Sequence, residues 1–188
     1  MHSYTSYTLY GIMEVMEQVN NAGVVSTTVD EESFWSIDLP SEVKDEKAKE
    51  AKKTVTQTFE GAQKCMETNY YGAKHVTQAL LTLLLKSNSP RVVNVSSKLG
   101  QLEKGWSSNV SGYIVSKAAL NAYTRILAKK YPSLCANAVS PGFVATDMSF
   151  FKGTSTAEEG ARGPVRLDLM PDGGPSGQIF WTIQDSPF

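Results

Sequence analysis

The order of apolar patterns along the chain is the feature that most restricts its fold. Apolar residues recur every three or four positions from Thr58 to Lys86, which predicts a long amphipathic helix. The β-branched run "RVVNVSS" that follows predicts a buried strand ending at a polar loop. The stretch 111–132 again has a helical pattern, and "LCANAVSPGFVAT" predicts another buried strand. This alternation indicates an α/β fold with a parallel sheet.

The two ends of the chain differ in pattern. Near the C-terminus, Thr156 and Glu159 have the spacing of a capping box, which predicts a helix to about Leu169, and "QIFWTI" then predicts a last strand. Residues 1–18 form an atypical N-terminal segment with no clear period, followed by "VNNAGVV", a loop after a short strand. Residues 41–56 are dense in Lys and Glu, which is typical of a solvated helix face or a lead-in.

Composition excludes several classes of function. A formal net charge of −1 provides no basic surface for nucleic acid. The two cysteines, Cys65 and Cys135, have neither CxxC nor Cys/His spacing, so neither a metal site nor a disulfide framework is expected. The most apolar run, "ALLTLLL", is far shorter than the ~20 residues that span a bilayer. We therefore expect a cytoplasmic protein that neither enters a membrane nor binds nucleic acid.

Two Tyr-x-x-x-Lys pairs are candidates for chemistry, Tyr113/Lys117 and Tyr70/Lys74. Tyr113 opens a helix directly after the "VSS" loop, at the sheet edge where parallel α/β proteins bind ligands. Tyr70 lies inside a long helix among apolar neighbours, which predicts a packing role with its lysine outside.

Proton transfer by a tyrosine near pH 7 requires stabilisation of its anion, since the ordinary pKa is near 10. A lysine charge at ~4 Å and an effective dielectric of ~20 supplies about 4 kcal/mol, which is up to ~3 pKa units. Lys117 is therefore predicted to lower the pKa of Tyr113. The hydroxyl of Ser97 could hold a carbonyl or alcohol oxygen beside it.

The motifs "VNNAG", "NYYG", "RVVNVSS", "YIVSK" and "AVSPGFVATDM", in this order, resemble the short-chain dehydrogenase/reductase family. The similarity runs from about Val19 to the C-terminus, so residues 19–188 are predicted to form a partial domain of that family. "SKAALNAYTRILAKKYP" is similar to plant carbonyl reductases of the neomenthol dehydrogenase and salutaridine reductase types. The resemblance implies a Rossmann-type parallel sheet and a nicotinamide cofactor, expected to be NADP.

The resemblance also implies roles for individual residues. Tyr113 would donate or accept the proton, Lys117 would lower its pKa and hold the nicotinamide ribose, and Ser97 would orient the substrate carbonyl. Asn69 would keep a water in a proton relay behind Lys117. The residues that would line the cofactor are Asn21, Tyr113, Lys117, Val144, Ala145 and Thr146.

The chain departs from the family pattern in two places. No G-x-G-x-x-G turn occurs, so the pyrophosphate-binding turn is absent and the sheet is expected to lack the first β-α-β-α-β half. Residues 98–112 replace the long insertion that plant carbonyl reductases carry. Because that insertion is thought to block dimerisation, self-association through residues 58–86 and 114–130 is expected.

Two functions stay open at this point. The first is an NAD(P)H-dependent oxidoreductase that reduces ketones, or oxidises secondary alcohols, of small molecules such as terpenoids or alkaloids. The alternative is a non-catalytic, truncated family member that acts, if at all, through subunit association.

Overall fold

The computed structural model describes residues 17–30, 54–101 and 107–181. The strands in these ranges are β1 (Glu17–Asn20), β2 (Thr28–Val29), β3 (Val55–Thr56), β4 (Arg91–Val95), β5 (Cys135–Ser140) and β6 (Ile179–Trp181). The α-helices there are α1 (Phe59–Cys65), α2 (Ala73–Leu84), α3 (Ser111–Lys130) and α4 (Ala157–Asp168). The predictions made for residues 1–16 and for most of the charged stretch 41–56 lie outside the described residues.

The main sheet is parallel and has the strand order β1-β4-β5-β6. This confirms the predicted parallel α/β fold. Within the described residues, β1 is an edge strand, paired only with β4. β2 and β3 form a separate antiparallel pair. Val55 and Thr56 are thus a strand, and the prediction of a helix face or lead-in is wrong for these two residues, because they pair with Val29 and Thr28.

The long helix predicted from Thr58 is present, but it is not α-helical throughout. Thr58 caps it by accepting the Gly61 N–H at 3.0 Å. Between α1 and α2 the segment Met66–Gly72 winds as a π-helix, a geometry that often marks functional positions. The apolar spacing of the sequence gave no sign of this change, since each turn is only slightly wider.

Helices cover both faces of the sheet. Neighbouring residues of a strand point to opposite sides, so one strand contributes side chains to a core cluster on each face. Val92 packs in a core cluster with Leu84 and Leu127, whereas Val93 packs in a second cluster with Leu167. Strands buried on both faces explain the β-branched run that predicted β4.

The remaining predicted elements are found close to their predicted bounds. Thr156 and Glu159 form the predicted capping box, with the Thr156 N–H donating to Glu159 at 2.8 Å and the Glu159 N–H donating to Thr156 at 3.2 Å. In the described part of the predicted loop 98–112, the 3₁₀ turns Lys98–Gly100 and Ser108–Val110 precede α3. These turns place Ser97 and Tyr113 at the same edge of the sheet.

Candidate active site

Tyr113 and Lys117 lie one turn apart on α3 at the carboxyl end of the sheet. The Lys117 Nζ is 5.7 Å from the centre of the Tyr113 ring. It also donates a hydrogen bond of 2.9 Å to the carbonyl of Val95, the last residue of β4. The lysine is therefore anchored to the strand whose end carries Ser97.

Lys117 is a buried cation, with 3% of its surface exposed. Burial lowers its pKa from 10.5 to about 8, because removing the ammonium from water disfavours the charged form. At pH 7 the group is still mostly protonated. It is thus a cation held in a weakly solvated position, where its charge acts strongly on neighbouring groups.

The prediction that Tyr113 has a lowered pKa is wrong for this structure. Burial raises the pKa of Tyr113, and a hydrogen bond with the Ser97 side chain lowers it by less. Desolvation of the phenolate outweighs that bond, while the Lys117 ammonium is directed to the Val95 carbonyl. Ser97 also caps the following 3₁₀ turn, since its Oγ accepts the Leu99 N–H at 3.2 Å.

Asn69 connects the long helix to the other elements of the site. Its amide nitrogen donates to the Val24 carbonyl and to Ser116 Oγ, both at 2.9 Å, and its Oδ1 accepts the Val24 N–H at 2.8 Å. Asn69 is 1% exposed and lies in the π-helical segment. The widened turn therefore aims a polar side chain between the loop after β1 and the helix that carries Tyr113.

The "NNAG" turn passes close to Lys117. Asn21 is exposed at this turn. A methyl group added at Gly23 would lie 3.4 Å from the Lys117 Nζ, 3.5 Å from the Asn69 Oδ1 and 3.6 Å from the Met148 Cε. The backbone at Gly23 thus comes near Lys117, and Met148 brings the loop after β5 to the same place.

The loop after β5 carries the predicted cofactor-lining residues 144–146. The Ala145 N–H donates to the Ser155 carbonyl at 2.8 Å, and the Thr146 N–H donates to Ser149 Oγ at 3.0 Å. These two backbone donors are therefore used within the loop itself. Phe150 and Phe151 follow in the left-handed region with φ of 51° and 56°, a strained backbone for residues with side chains.

Sequence reasoning missed a group of buried polar side chains behind the site. Asn20 donates to Asn94 Oδ1 at 2.7 Å and to Thr77 Oγ1 at 3.2 Å, and Asn94 donates to Thr124 Oγ1 at 2.9 Å. This network joins β1, β4, α2 and α3. The available signal was Asn94 inside the valine-rich run of β4, since a buried amide requires partners.

Comparison with known proteins decides the family. The family model described as short chain dehydrogenase matches residues 9–155. The chain belongs to the short-chain dehydrogenase family. Within the described residues of this dehydrogenase, no helix is long and apolar enough to cross a membrane, and no three His, Cys, Asp or Glu side chains are grouped as metal ligands would be.

Two relatives and one solved structure illustrate the similarity. The dehydrogenase is 43% identical over 172 residues to "Short-chain dehydrogenase/reductase 1" of Saponaria officinalis, covering 70% of this chain and 57% of the relative. It is 37% identical over 225 residues to (+)-neomenthol dehydrogenase of Arabidopsis thaliana, covering 96% of this chain and 72% of the relative. The structure of salutaridine reductase from Papaver somniferum superimposes with a TM-score of 0.81 at 37% identity, covering 89% of this chain and 72% of that one.

These matches confirm the resemblance to the neomenthol dehydrogenase and salutaridine reductase types. The chain spans 57% of the length of the Saponaria relative and 72% of the Arabidopsis one. It therefore corresponds to part of these proteins.

Proposed function

We propose that this short-chain dehydrogenase is an NADPH-dependent oxidoreductase that reduces the ketone of a small molecule, or oxidises the corresponding secondary alcohol. The observation that supports it most is the buried Lys117 ammonium one turn from Tyr113, with the Ser97 side chain near enough to lower the pKa of the same tyrosine. The names of the plant relatives favour a terpenoid or alkaloid substrate.

The proposed chemistry of the chain is proton transfer. The Tyr113 hydroxyl donates a proton to the substrate oxygen, and Ser97 Oγ donates a hydrogen bond to the same oxygen and so orients it. Lys117 stabilises the tyrosinate that this leaves, because a positive charge in a weakly solvated position favours an adjacent anion. Asn69 commits both amide protons to the protein, and the second lone pair of its Oδ1 could accept a hydrogen bond from a water that resupplies the proton.

The residues at the "NNAG" turn fit a nicotinamide nucleotide. Lys117 has three donor protons, of which the Val95 carbonyl accepts one, so ribose hydroxyls have donors to bind. The glycine at position 23 keeps the backbone close to that ammonium without a side chain between them. Asn21, Val144, Ala145 and Thr146 would line the remainder. When bound, the nicotinamide would supply or accept the hydride.

Titration of the purified chain with NADPH, followed by cofactor fluorescence, tests the proposal. We expect saturable binding with NADPH preferred over NADH, and ketone-dependent loss of NADPH absorbance. Binding that is unchanged in Lys117→Ala would contradict the assignment of the ribose contact. A folded chain that binds neither nucleotide would favour the alternative, a non-catalytic family member that associates with other subunits.

A further inference from the structure

Gln57 links three segments that meet at the candidate site. Its amide nitrogen donates to the Val25 carbonyl at 2.9 Å and to Cys65 Sγ at 3.5 Å. Its amide oxygen accepts the Gly112 N–H at 2.6 Å. One side chain, directly after β3, therefore contacts the loop after β1, the end of α1 and the first turn of α3.

The contact with Gly112 satisfies a donor that α3 does not satisfy for itself. The first four N–H groups of an α-helix have no partner within the helix. Val110, which precedes α3, has no side-chain capping bond. The Gly112 N–H is one of these unsatisfied donors, and Gln57 caps it from 55 residues away in sequence. Tyr113 is the next residue, so this bond holds the backbone at the base of its side chain.

The contact with Val25 holds the loop after β1. Cys65 Sγ also donates to the Val25 carbonyl, at 2.8 Å, so this carbonyl accepts two hydrogen bonds. Glycines at positions 61 and 112 let the chains approach closely here, because a methyl group at either would collide, with the Ser26 carbonyl and with Ala62 respectively. The loop after β1, α1 and the start of α3 are thus packed backbone to backbone around the Gln57 amide.

We propose that Gln57 is a positioning residue that sets the place of Tyr113 relative to the loop after β1. The inference rests on the proposed function in so far as Tyr113 transfers the proton. It adds that the position of Tyr113 relative to the loop after β1 depends on the Gln57 amide, which forms hydrogen bonds to both segments. Neither hydrogen bond alone could couple them, because each holds only one segment.

Two substitutions separate the halves of this contact. Gln57→Leu removes both hydrogen bonds, the one to the Val25 carbonyl and the one from the Gly112 N–H. Gln57→Glu keeps an oxygen that can accept the Gly112 N–H, where a negative charge also suits the start of a helix, but it sets a carboxylate against the Val25 carbonyl. Gln63→Leu is the matched control, because Gln63 is an exposed glutamine in α1 whose amide bonds only to Glu67 among the described contacts, at 2.8 Å.

The experiment is NMR on the full chain labelled with ¹⁵N and with ¹³C at the tyrosine ζ carbon. In Gln57→Leu we expect the Gly112 amide to exchange about 2- to 10-fold faster, the effect of one lost hydrogen bond, while amides of α2 do not change. We also expect the pKa of Tyr113 to fall, because a loosened first turn reduces the burial that raises it. In Gln57→Glu, Gly112 should stay protected and the pKa of Tyr113 should rise, since a nearby anion disfavours the phenolate.

Faster exchange of the Gly112 amide and a lower Tyr113 pKa in Gln57→Leu, with neither change in Gln63→Leu, would establish the positioning role. A Gly112 amide and a Tyr113 titration that are the same in Gln57→Leu as in the parent would overturn it, and so would faster exchange spread evenly over all helices. If Gln57→Leu does not fold, Gln57→Glu decides through the Gly112 amide, whose loss of protection in that variant would contradict the hydrogen bond to the residue 57 side-chain oxygen. None of these measurements needs NADPH or turnover, so failure of the proposed function in the NADPH titration is recorded separately.

Discussion

The two Tyr-x-x-x-Lys pairs have the same spacing and nearly the same internal geometry, yet different surroundings. In each, the lysine Nζ lies 5.7 Å from the centre of the tyrosine ring. The ring of Tyr70 packs edge-on against that of Tyr123, with 6.2 Å between the ring centres, beside the core cluster that contains Leu84. Lys74 is partly exposed. Lys117 is buried and bonded to the end of β4. What distinguishes a candidate catalytic pair is therefore its position at the sheet edge and its burial.

The largest expected difference is in turnover. Tyr113→Phe should lower kcat for ketone reduction by about 10²–10⁴, the contribution of a positioned acid–base group, whereas Tyr70→Phe should change it less than about twofold. The assay follows NADPH oxidation, in the chain itself and in a form preceded by the strand, Gly-rich turn and helix of a relative. Equal losses in both variants would show that position does not separate the pairs.

The next difference is in the pH dependence of stability. The pKa of Lys117 is about 8 in the fold and 10.5 when unfolded, so between these values this group binds more protons in the unfolded chain and its contribution to stability rises with pH. From pH 8 to 10 the free energy of unfolding should gain about 2 kcal/mol relative to Lys117→Met, which lacks this titration.

Lys74→Met provides the control for that measurement, because Lys74 is partly exposed on α2. Its unfolding in urea should follow the pH dependence of the parent chain. A parent chain whose stability stays parallel to that of Lys117→Met over this range would mean that Lys117 is not buried as the structure shows. The range stops at pH 10, the ordinary pKa of tyrosine. Above it Tyr113 loses its proton more readily in the unfolded chain than in the fold, where its pKa is raised, and this lowers stability.

A smaller difference separates two adjacent residues of the π-helical segment. Asn69→Ala removes three hydrogen bonds and leaves the Val24 N–H and carbonyl without the side chain that holds them, which should cost about 2–3 kcal/mol. Tyr70→Phe keeps the packed ring and should cost less than about 0.5 kcal/mol. Urea unfolding of both variants measures this. Comparable costs would indicate that the whole segment, rather than the Asn69 side chain, stabilises the fold there.

These contrasts also show which parts of the molecule a sequence reveals. Local patterns predicted the α-helices and the strands of the main sheet but neither the β2/β3 pair nor the π-helical segment, and the spacing of Thr156 and Glu159 predicted a capping box that is present. Contacts between distant segments were not predicted, such as Gln57 with Gly112 or Asn20 with Asn94, because the topology alone brings these residues together. The direction of the Tyr113 pKa was wrong for a related reason. The spacing of two residues gives their charge interaction, but the desolvation of the phenolate depends on everything packed around it.

The smallest effects concern one glycine beside each pair. Gly72 lies at the end of the π-helical segment with helical φ and ψ. A methyl group there meets only the Glu67 carbonyl, at 3.4 Å, so Gly72→Ala should stabilise the fold by about 0.5–1 kcal/mol.

Gly23→Ala should change stability little, because its methyl group would make ordinary contacts with Asn69 and Met148. That methyl group would, however, stand 3.4 Å from the Lys117 Nζ, in the space proposed for the nucleotide. Gly23→Ala should therefore weaken NADPH binding at least several-fold, while Gly72→Ala should not. A Gly23→Ala chain that binds NADPH as tightly as the parent would place the nucleotide elsewhere and leave Lys117 without its proposed ligand.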